Sequence, residues 1–225
     1  GICLSLYGEY LYSASLDAYP VMEGKETRFG LTSSVIWSTG TTATSSGSIN
    51  AMMSSLSPIS SGIALFNMLL GELIFGGVGT GLCTLILYIL LTVFLSVFMV
   101  GRTPEYFGKK IEVKEMQWII ISIFTSSCLI LIGSAISFLL PIATSQIKSE
   151  GPHGFTTLLY AFASASSNNG SAFSSLDSNT PYYNLILGSI MILSRLAILI
   201  PSLMIAGLLA KKKIAPTTLG TFSTN

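Results

Sequence analysis

Gly154-Phe-Thr-Thr-Leu-Leu-Tyr-Ala-Phe-Ala-Ser-Ala-Ser-Ser-Asn-Asn-Gly-Ser171 is an uncharged stretch that begins apolar and ends in hydroxyls, amides and a glycine. A crossing takes about 20 mostly apolar residues, so this stretch is too short, and too polar at its C-terminal end, to span a bilayer. Its neighbours do span: residues 118–147 carry no charge and 182–210 carry only Arg195, so 118–140 and 183–209 read as transmembrane helices. Basic residues collect in 101–117 (Arg102, Lys109, Lys110, Lys114) and again at Lys211–Lys213. Short loops rich in Lys and Arg stay on the cytoplasmic side. Two crossings satisfy both basic segments, and a third would carry the lysine tail outside. Residues 154–171 are therefore expected to enter from the outer face and return.

The same pattern occurs earlier. Leu31-Thr-Ser-Ser-Val-Ile-Trp-Ser-Thr-Gly-Thr-Thr-Ala-Thr-Ser-Ser-Gly-Ser48 is again short, uncharged and hydroxyl-rich, and a shift of 123 residues lays Gly47-Ser48 on Gly170-Ser171 and Ser45-Ser46 on Asn168-Asn169. The chain reads as an internal repeat of helix, re-entrant pore helix, glycine loop and helix. Two crossings per unit make the repeats parallel, not inverted. The first unit, 1–117, holds the remnant of a first helix, a pore helix at 28–44, the loop 45–47, a broken helix over 61–100 and a cytoplasmic loop at 101–117. The second, 118–213, holds a helix at 118–140, a pore helix at 154–167, the loop 168–170 and a helix at 183–209, and 214–225 is a tail. The fold class is an all-α polytopic membrane protein.

Composition agrees. Of the 225 residues 9% are charged and 50% apolar, against about 25% charged in an average soluble domain. Such a chain cannot build a charged soluble surface, nor is it polar enough for disorder. The net charge of +1 gives no reason to expect nucleic acid as a partner, and Cys3, Cys83 and Cys128 form neither a disulfide framework nor a zinc pattern.

Non-helical backbone at membrane depth survives only where protein buries it or where it lines a water-filled path. A half-helix ending in Ser-Ser-Gly or Asn-Asn-Gly presents carbonyls around a glycine free to take unusual angles. Carbonyl rings of this kind replace the hydration shell of potassium, and the helix C-terminus adds partial negative charge. The alternative is a pair of hairpins that merely pack. Residues 61–100 would reach about 60 Å if wholly helical, twice one crossing, and Gly76-Gly77-Val78-Gly79-Thr80-Gly81 is expected to unwind them midway. A nucleotide loop is a poor reading of that run, since no Gly-Lys-Ser/Thr follows. Glu72, alone in its helix, is either functional or solvated near the outer interface. Arg195 is either an electrostatic plug or half of a buried ion pair, and His153 reads as a loop or capping residue.

Five strings carry a resemblance: Met22-Glu-Gly-Lys-Glu-Thr-Arg-Phe-Gly30, Gly71-Glu-Leu-Ile-Phe-Gly-Gly-Val-Gly-Thr-Gly81, Val100-Gly-Arg-Thr-Pro-Glu-Tyr-Phe-Gly-Lys-Lys-Ile111, Gly151-Pro-His-Gly-Phe155 and Asn168-Asn-Gly-Ser-Ala-Phe173. In this order they closely resemble the potassium-binding A-subunit family of the bacterial Kdp potassium-transporting ATPases, from about Met22 to Lys213. The resemblance implies a member of the potassium-transporter superfamily with four pore-loop repeats, of which this chain carries the third and fourth. It further implies that Ser45, Ser46, Gly47, Asn168, Asn169 and Gly170 belong to filter loops for potassium. By the same resemblance Glu72, Gly76, Gly77, Gly79 and Gly81 form a gating loop, and Arg195 is the basic residue under the filter.

Potassium is the only cofactor-like ion implied, with no organic group. The implied partners are the P-type ATPase catalytic subunit and small accessory subunits of the Kdp complex, within the lipid of the bacterial inner membrane. The ion would pass to the ATPase subunit through an intramembrane tunnel. No Asp-Lys-Thr-Gly or Walker A string occurs, so hydrolysis is expected in the partner and not here. The family commonly carries cysteine where Ser46 stands, and Met52-Met53 replaces a more polar pair. A self-assembling channel or symporter subunit of the Trk or Ktr kind is the competing reading, and the Kdp-like strings favour the first.

Substituted-cysteine labelling tests the topology. Lys110→Cys is expected to react only from the cytoplasmic side, and labelling of that position in intact cells overturns the assignment.

Overall fold

The computed structural model describes residues 1–16, 21–71, 75–149, 151–213 and 221–222. Their helices are α1 (Ile2–Ser15), α2 (Gly30–Thr44), α3 (Pro58–Leu69), α4 (Thr80–Met99), α5 (Val113–Leu139), α6 (Pro141–Thr144), α7 (Pro152–Ser166) and α8 (Pro181–Lys211). Three of them, α4, α5 and α8, are long and apolar enough to cross a membrane. The chain is an all-α membrane protein with one small sheet.

Helix α5 starts at Val113 rather than at 118, because Glu112 and Glu115 form a reciprocal capping box that satisfies its first amides. The preceding residues, expected as plain loop, form an antiparallel hairpin of β1 (Thr103–Tyr106) and β2 (Lys109–Lys110), pairing Glu105 with Lys110 and Tyr106 with Lys109. Phe107 and Gly108 at its tip both have positive φ, 48° and 70°, as a two-residue hairpin turn requires. A third strand, β3 (Thr221–Phe222), lies parallel to β1, and the rest of the tail, 214–220 and 223–225, is outside the described residues. At this basic end Lys212 Nζ reaches Glu115 Oε1 at 2.8 Å and Glu112 Oε2 at 3.5 Å, and Lys109 Nζ donates to the Leu209 carbonyl at 2.7 Å. The first and last helices of the second unit are thereby tied together.

Two units repeat in space. Helix α1 packs on α2 and α3 as α5 packs on α7 and α8. Helices α3 and α8 both open on a proline, at Pro58 and Pro181, behind hydroxyl N-caps, Ser57 and Thr180. Each pore helix is preceded by a segment that forms one antiparallel bridge with the chain beyond its loop, Lys25 with Ala51 and Ile147 with Leu176. The units part company afterwards: α8 runs unbroken through Pro201, whereas the first unit stops at Leu69 and restarts at Thr80.

Helices α2 and α7 are short and rich in hydroxyls; α7 is buried along most of its length and α2 along one face. Their hydroxyls bond back to their own helix, Ser34 to Gly30, Thr39 to Val35, Thr42 to Ser38 and Thr157 to His153, all within 3.0 Å. A hydroxyl spent this way costs little in an apolar setting. His153 stands in the first turn of α7 with its ring edge-on to Phe173, in the helix rather than in the loop before it. Around the pore helices lies one apolar cluster that includes Val35, Met53, Leu158, Phe162 and Tyr183. Met53, second of the pair without a sequence rationale, is buried there, and its sulfur accepts from Ser38 Oγ at 3.5 Å. A second cluster, with Leu87, Leu90, Met116, Ile119 and Ile205, fills the basic end.

One buried ion pair anchors the remnant first helix. Lys25 Nζ lies 3.4 Å from Glu9 Oε2, with both side chains fully enclosed, and donates to the carbonyls of Val21 and Ser55 at 3.1 and 2.8 Å. Glu9 Oε1 accepts the backbone amide of Ser57, the N-cap of α3. Four segments thus meet on two charges. Breaking one side leaves the other charge buried and unpaired, which costs about 3–5 kcal/mol, whereas replacing both by apolar groups is often neutral. Lys25→Met is expected to lose stability on that scale in unfolding of the purified full-length subunit, and Glu9→Leu/Lys25→Met to lose less than either single change.

Candidate functional site

The two pore helices end in loops of the same backbone shape. Ser45 and Asn168 take the left-handed conformation at φ 50° and 54°, and Gly47 and Gly170 follow at φ 74° and 91°. Within each loop the amide of the middle residue turns back to the pore helix. Ser46 N donates to the Thr41 carbonyl at 3.2 Å and Asn169 N to the Ser164 carbonyl at 2.9 Å. These are corresponding atoms of the two repeats. Left-handed geometry at a non-glycine residue costs roughly 1–2 kcal/mol, and hydrogen bonds of the neighbouring residues hold each turn. Thr41 Oγ1 meets Ser46 Oγ at 2.9 Å, and Ser164 Oγ accepts Gly170 N at 3.0 Å.

The loops lie against each other. A Cβ built on Gly47 would stand 1.9 Å from the Asn169 carbonyl oxygen, so no other residue fits without moving the second loop. Asn169 is buried, and its Nδ2 donates to the Thr41 carbonyl across the repeat boundary at 2.8 Å while Oδ1 accepts Ser171 N at 3.0 Å. Further contacts between repeats run from Ser174 N to Ser54 Oγ at 2.8 Å and from Ser167 Oγ to Met68 Sδ at 3.1 Å.

The glycine-rich break lies between Leu69 and Thr80. Gly81 N donates to the Gly77 carbonyl at 2.9 Å, and a Cβ at Gly81 would meet the Phe75 carbonyl oxygen at 2.4 Å. The loop therefore folds onto the first turn of α4 because position 81 is bare. Arg195, half-buried on α8, reaches this loop from the other repeat: Nη1 donates to Thr80 Oγ1 at 3.1 Å and Nη2 to the Val78 carbonyl at 2.9 Å. Its neighbour Ser194 is buried and donates to the Ser166 carbonyl at the end of the α7 pore helix. Adjacent residues of α8 thus touch both the end of α7 and the start of α4. A cavity of about 70 Å³ opens beneath, walled by Met68, Gly71, Thr84, Ser122, Ser126 and Ser166.

Residues 2–225 match the family described as "Potassium-transporting ATPase A subunit". The chain belongs to that family. A potassium-transporting ATPase potassium-binding subunit from Pseudomonas aeruginosa is 46% identical over 230 residues, covering all of this chain and 41% of the relative. The namesake from Leptospira interrogans is 50% identical over 203 residues (90% of this chain, 36% of the relative), and that from Ralstonia pickettii 49% over 209 residues (93% and 35%). The chain spans about two fifths of the length of these curated relatives.

In this A-subunit family member the structure brings Ser45, Ser46 and Gly47 together with Asn168, Asn169 and Gly170, and sets Arg195 against the loop that contains Gly76, Gly77 and Gly79, while Gly81, expected in that loop, lies in the first turn of α4. Glu72 lies outside the described residues. Neither Ser194 and Thr80 nor the Glu9–Lys25 pair stood out in sequence. Two signals were available for the pair: Glu9 is the one carboxylate in residues 1–16, and Lys25 sits inside the distinctive 22–30 string.

Proposed function

We propose that this chain is the potassium-selecting, non-hydrolytic part of an ATP-driven potassium uptake system in the bacterial inner membrane. The observation that carries the proposal is the pair of backbone-matched loops at the ends of two half-helices, at φ 50° and 54° and then 74° and 91°. Loops of this shape leave carbonyls and hydroxyls as the available ligands, and such oxygens suit a weakly hydrated monovalent cation. The names of the relatives, potassium-binding subunits of a potassium-transporting ATPase, support the choice of ion. Since the chain spans about two fifths of those relatives, the two loops supply half of a four-loop filter.

In this reading an ion dehydrated by the loops does not run straight on. Arg195, held on the Val78 carbonyl and Thr80 hydroxyl, opposes a cation below the filter by about 4 kcal/mol at 4 Å for an effective dielectric near 20. The cavity near the break, lined by Thr84, Ser122 and Ser126 together with Leu87, Ile130 and Ile198, is the proposed start of a sideways exit toward the P-type ATPase subunit, with small accessory subunits completing the complex.

The test is transport and growth by the assembled complex carrying the full-length subunit. Gly170→Asp is expected to abolish or strongly relax potassium-over-rubidium discrimination, because φ 91° strains any side chain and the charge perturbs the ring. Unchanged discrimination removes the filter role of 168–170.

Arg195→Ala is expected to let rubidium escape from complex-loaded vesicles without ATP. Lower yield with no leak reduces Arg195 to a structural tie.

A further inference from the structure

Asn169 does something in the second loop that its counterpart Ser46 does not do in the first. Both residues hold the same backbone bond to their own pore helix, Asn169 N to Ser164 and Ser46 N to Thr41. Their side chains diverge. Ser46 is exposed, and its hydroxyl bonds Thr41 Oγ1 within its own repeat. Asn169 is buried, and its longer amide crosses to the other repeat, where Nδ2 donates to the Thr41 carbonyl at 2.8 Å. The far end of the amide is fixed as well, since Oδ1 accepts Ser171 N at 3.0 Å. With both ends engaged, the side chain does not face an ion.

The carbonyl it grips is already the anchor of the first loop. Thr41 O accepts the amides of Ser45 and Ser46, so Asn169 bonds the atom on which the 45–47 turn hangs. Its own main-chain oxygen lies against Gly47. One residue therefore touches the first loop at its root, through the side chain, and at its glycine, through the main chain. The distance between the two loops is set by the length of one amide.

We infer that Asn169 is a positioning residue for ion discrimination: its side-chain amide holds the two filter loops at a fixed spacing without ligating the ion. This rests on the filter reading of 45–47 and 168–170. Carbonyl rings separate potassium from a slightly larger congener only while the oxygens keep their separation. Loosening the joint should widen the accepted size range and leave the delivery steps intact.

Asn169→Ser is the informative variant. Serine occupies the corresponding position 46 in the same backbone, so the loop can fold, while the reach to Thr41 and the amide acceptor for Ser171 N are lost. Asn169→Asp keeps an acceptor for Ser171 N but places a second acceptor against the Thr41 carbonyl. Both are made in the full-length subunit, purified as the assembled complex, and measured for KM and kcat with potassium and with rubidium. Ion-induced shifts in Tm provide a readout that needs no turnover. The KM ratio of rubidium to potassium is expected to fall about fivefold in Asn169→Ser, the worth of one hydrogen bond, and further in Asn169→Asp.

Gly170→Asp runs alongside. If it loses discrimination while both Asn169 variants keep it, in KM and in Tm, the joint is wrong and the filter stands. If all three keep discrimination, the filter reading falls and the joint with it. If potassium and rubidium KM rise together in Asn169→Ser with the ratio unchanged, Asn169 supports affinity alone and the positioning role is overturned.

Discussion

A helix that ends inside the protein leaves carbonyls that need partners, and the neighbours of α2 and α7 are arranged around satisfying them. The last-turn carbonyls of Thr41 and Ser164 each accept an amide of the loop that follows, Ser46 N and Asn169 N, as Ser45 and Asn168 turn left-handed. Every neighbouring element then adds a donor or a wall. Ser194 of α8 caps the Ser166 carbonyl, Asn169 adds its amide to Thr41, and α1 and α5 close the outer sides. The hydroxyls along the pore helices are mostly consumed by their own turns. Polarity is thus concentrated at the two loops.

The ion pair of Glu9 and Lys25 belongs to the same logic at the filter-side end. Its charges join α1, the entry to α2, the chain beyond the first loop and the N-cap of α3. The second unit achieves the corresponding joint with Ile147 and Leu176, by apolar packing around a backbone bridge. Two units of one architecture therefore rest on different forces, one electrostatic and one hydrophobic. They should respond differently to substitution.

Much of the fold was legible because charges are so few. Uncharged runs mark α5 and α8, basic clusters mark their ends, and the short uncharged stretch between them is the short helix α7. The 123-residue shift that aligns Gly47 with Gly170 aligns their backbone angles too. What escaped has a physical reason. The hairpin at Thr103–Lys110 depends on positive φ at Phe107, which composition does not announce, and the α5 capping box was hidden within a run read only for its charge. The direction of the Asn169 amide is a tertiary fact, since nothing in Ser-Ser-Gly against Asn-Asn-Gly says which side chain crosses the boundary. The same holds for Met53, whose sulfur matters only because Ser38 faces it.

The bridges and turns of the two units also record where length is free to vary. Met52 N bonds the Gly24 carbonyl in the first unit and Asp177 N bonds the Gln146 carbonyl in the second. Between these marks the second unit is one residue longer before its pore-helix carbonyl, Ser164 against Thr41, and two residues longer after its glycine, Gly170 against Gly47. From that carbonyl to that glycine the count is identical. Insertions are absorbed in the approaches, where a loop can bow outward, and not in the turn, where one added residue would rotate each following oxygen away from its place. The stretch behaves as a gauge block: side chains on it are free to change trade, as serine and asparagine have, but its length is the dimension from which everything around it is measured.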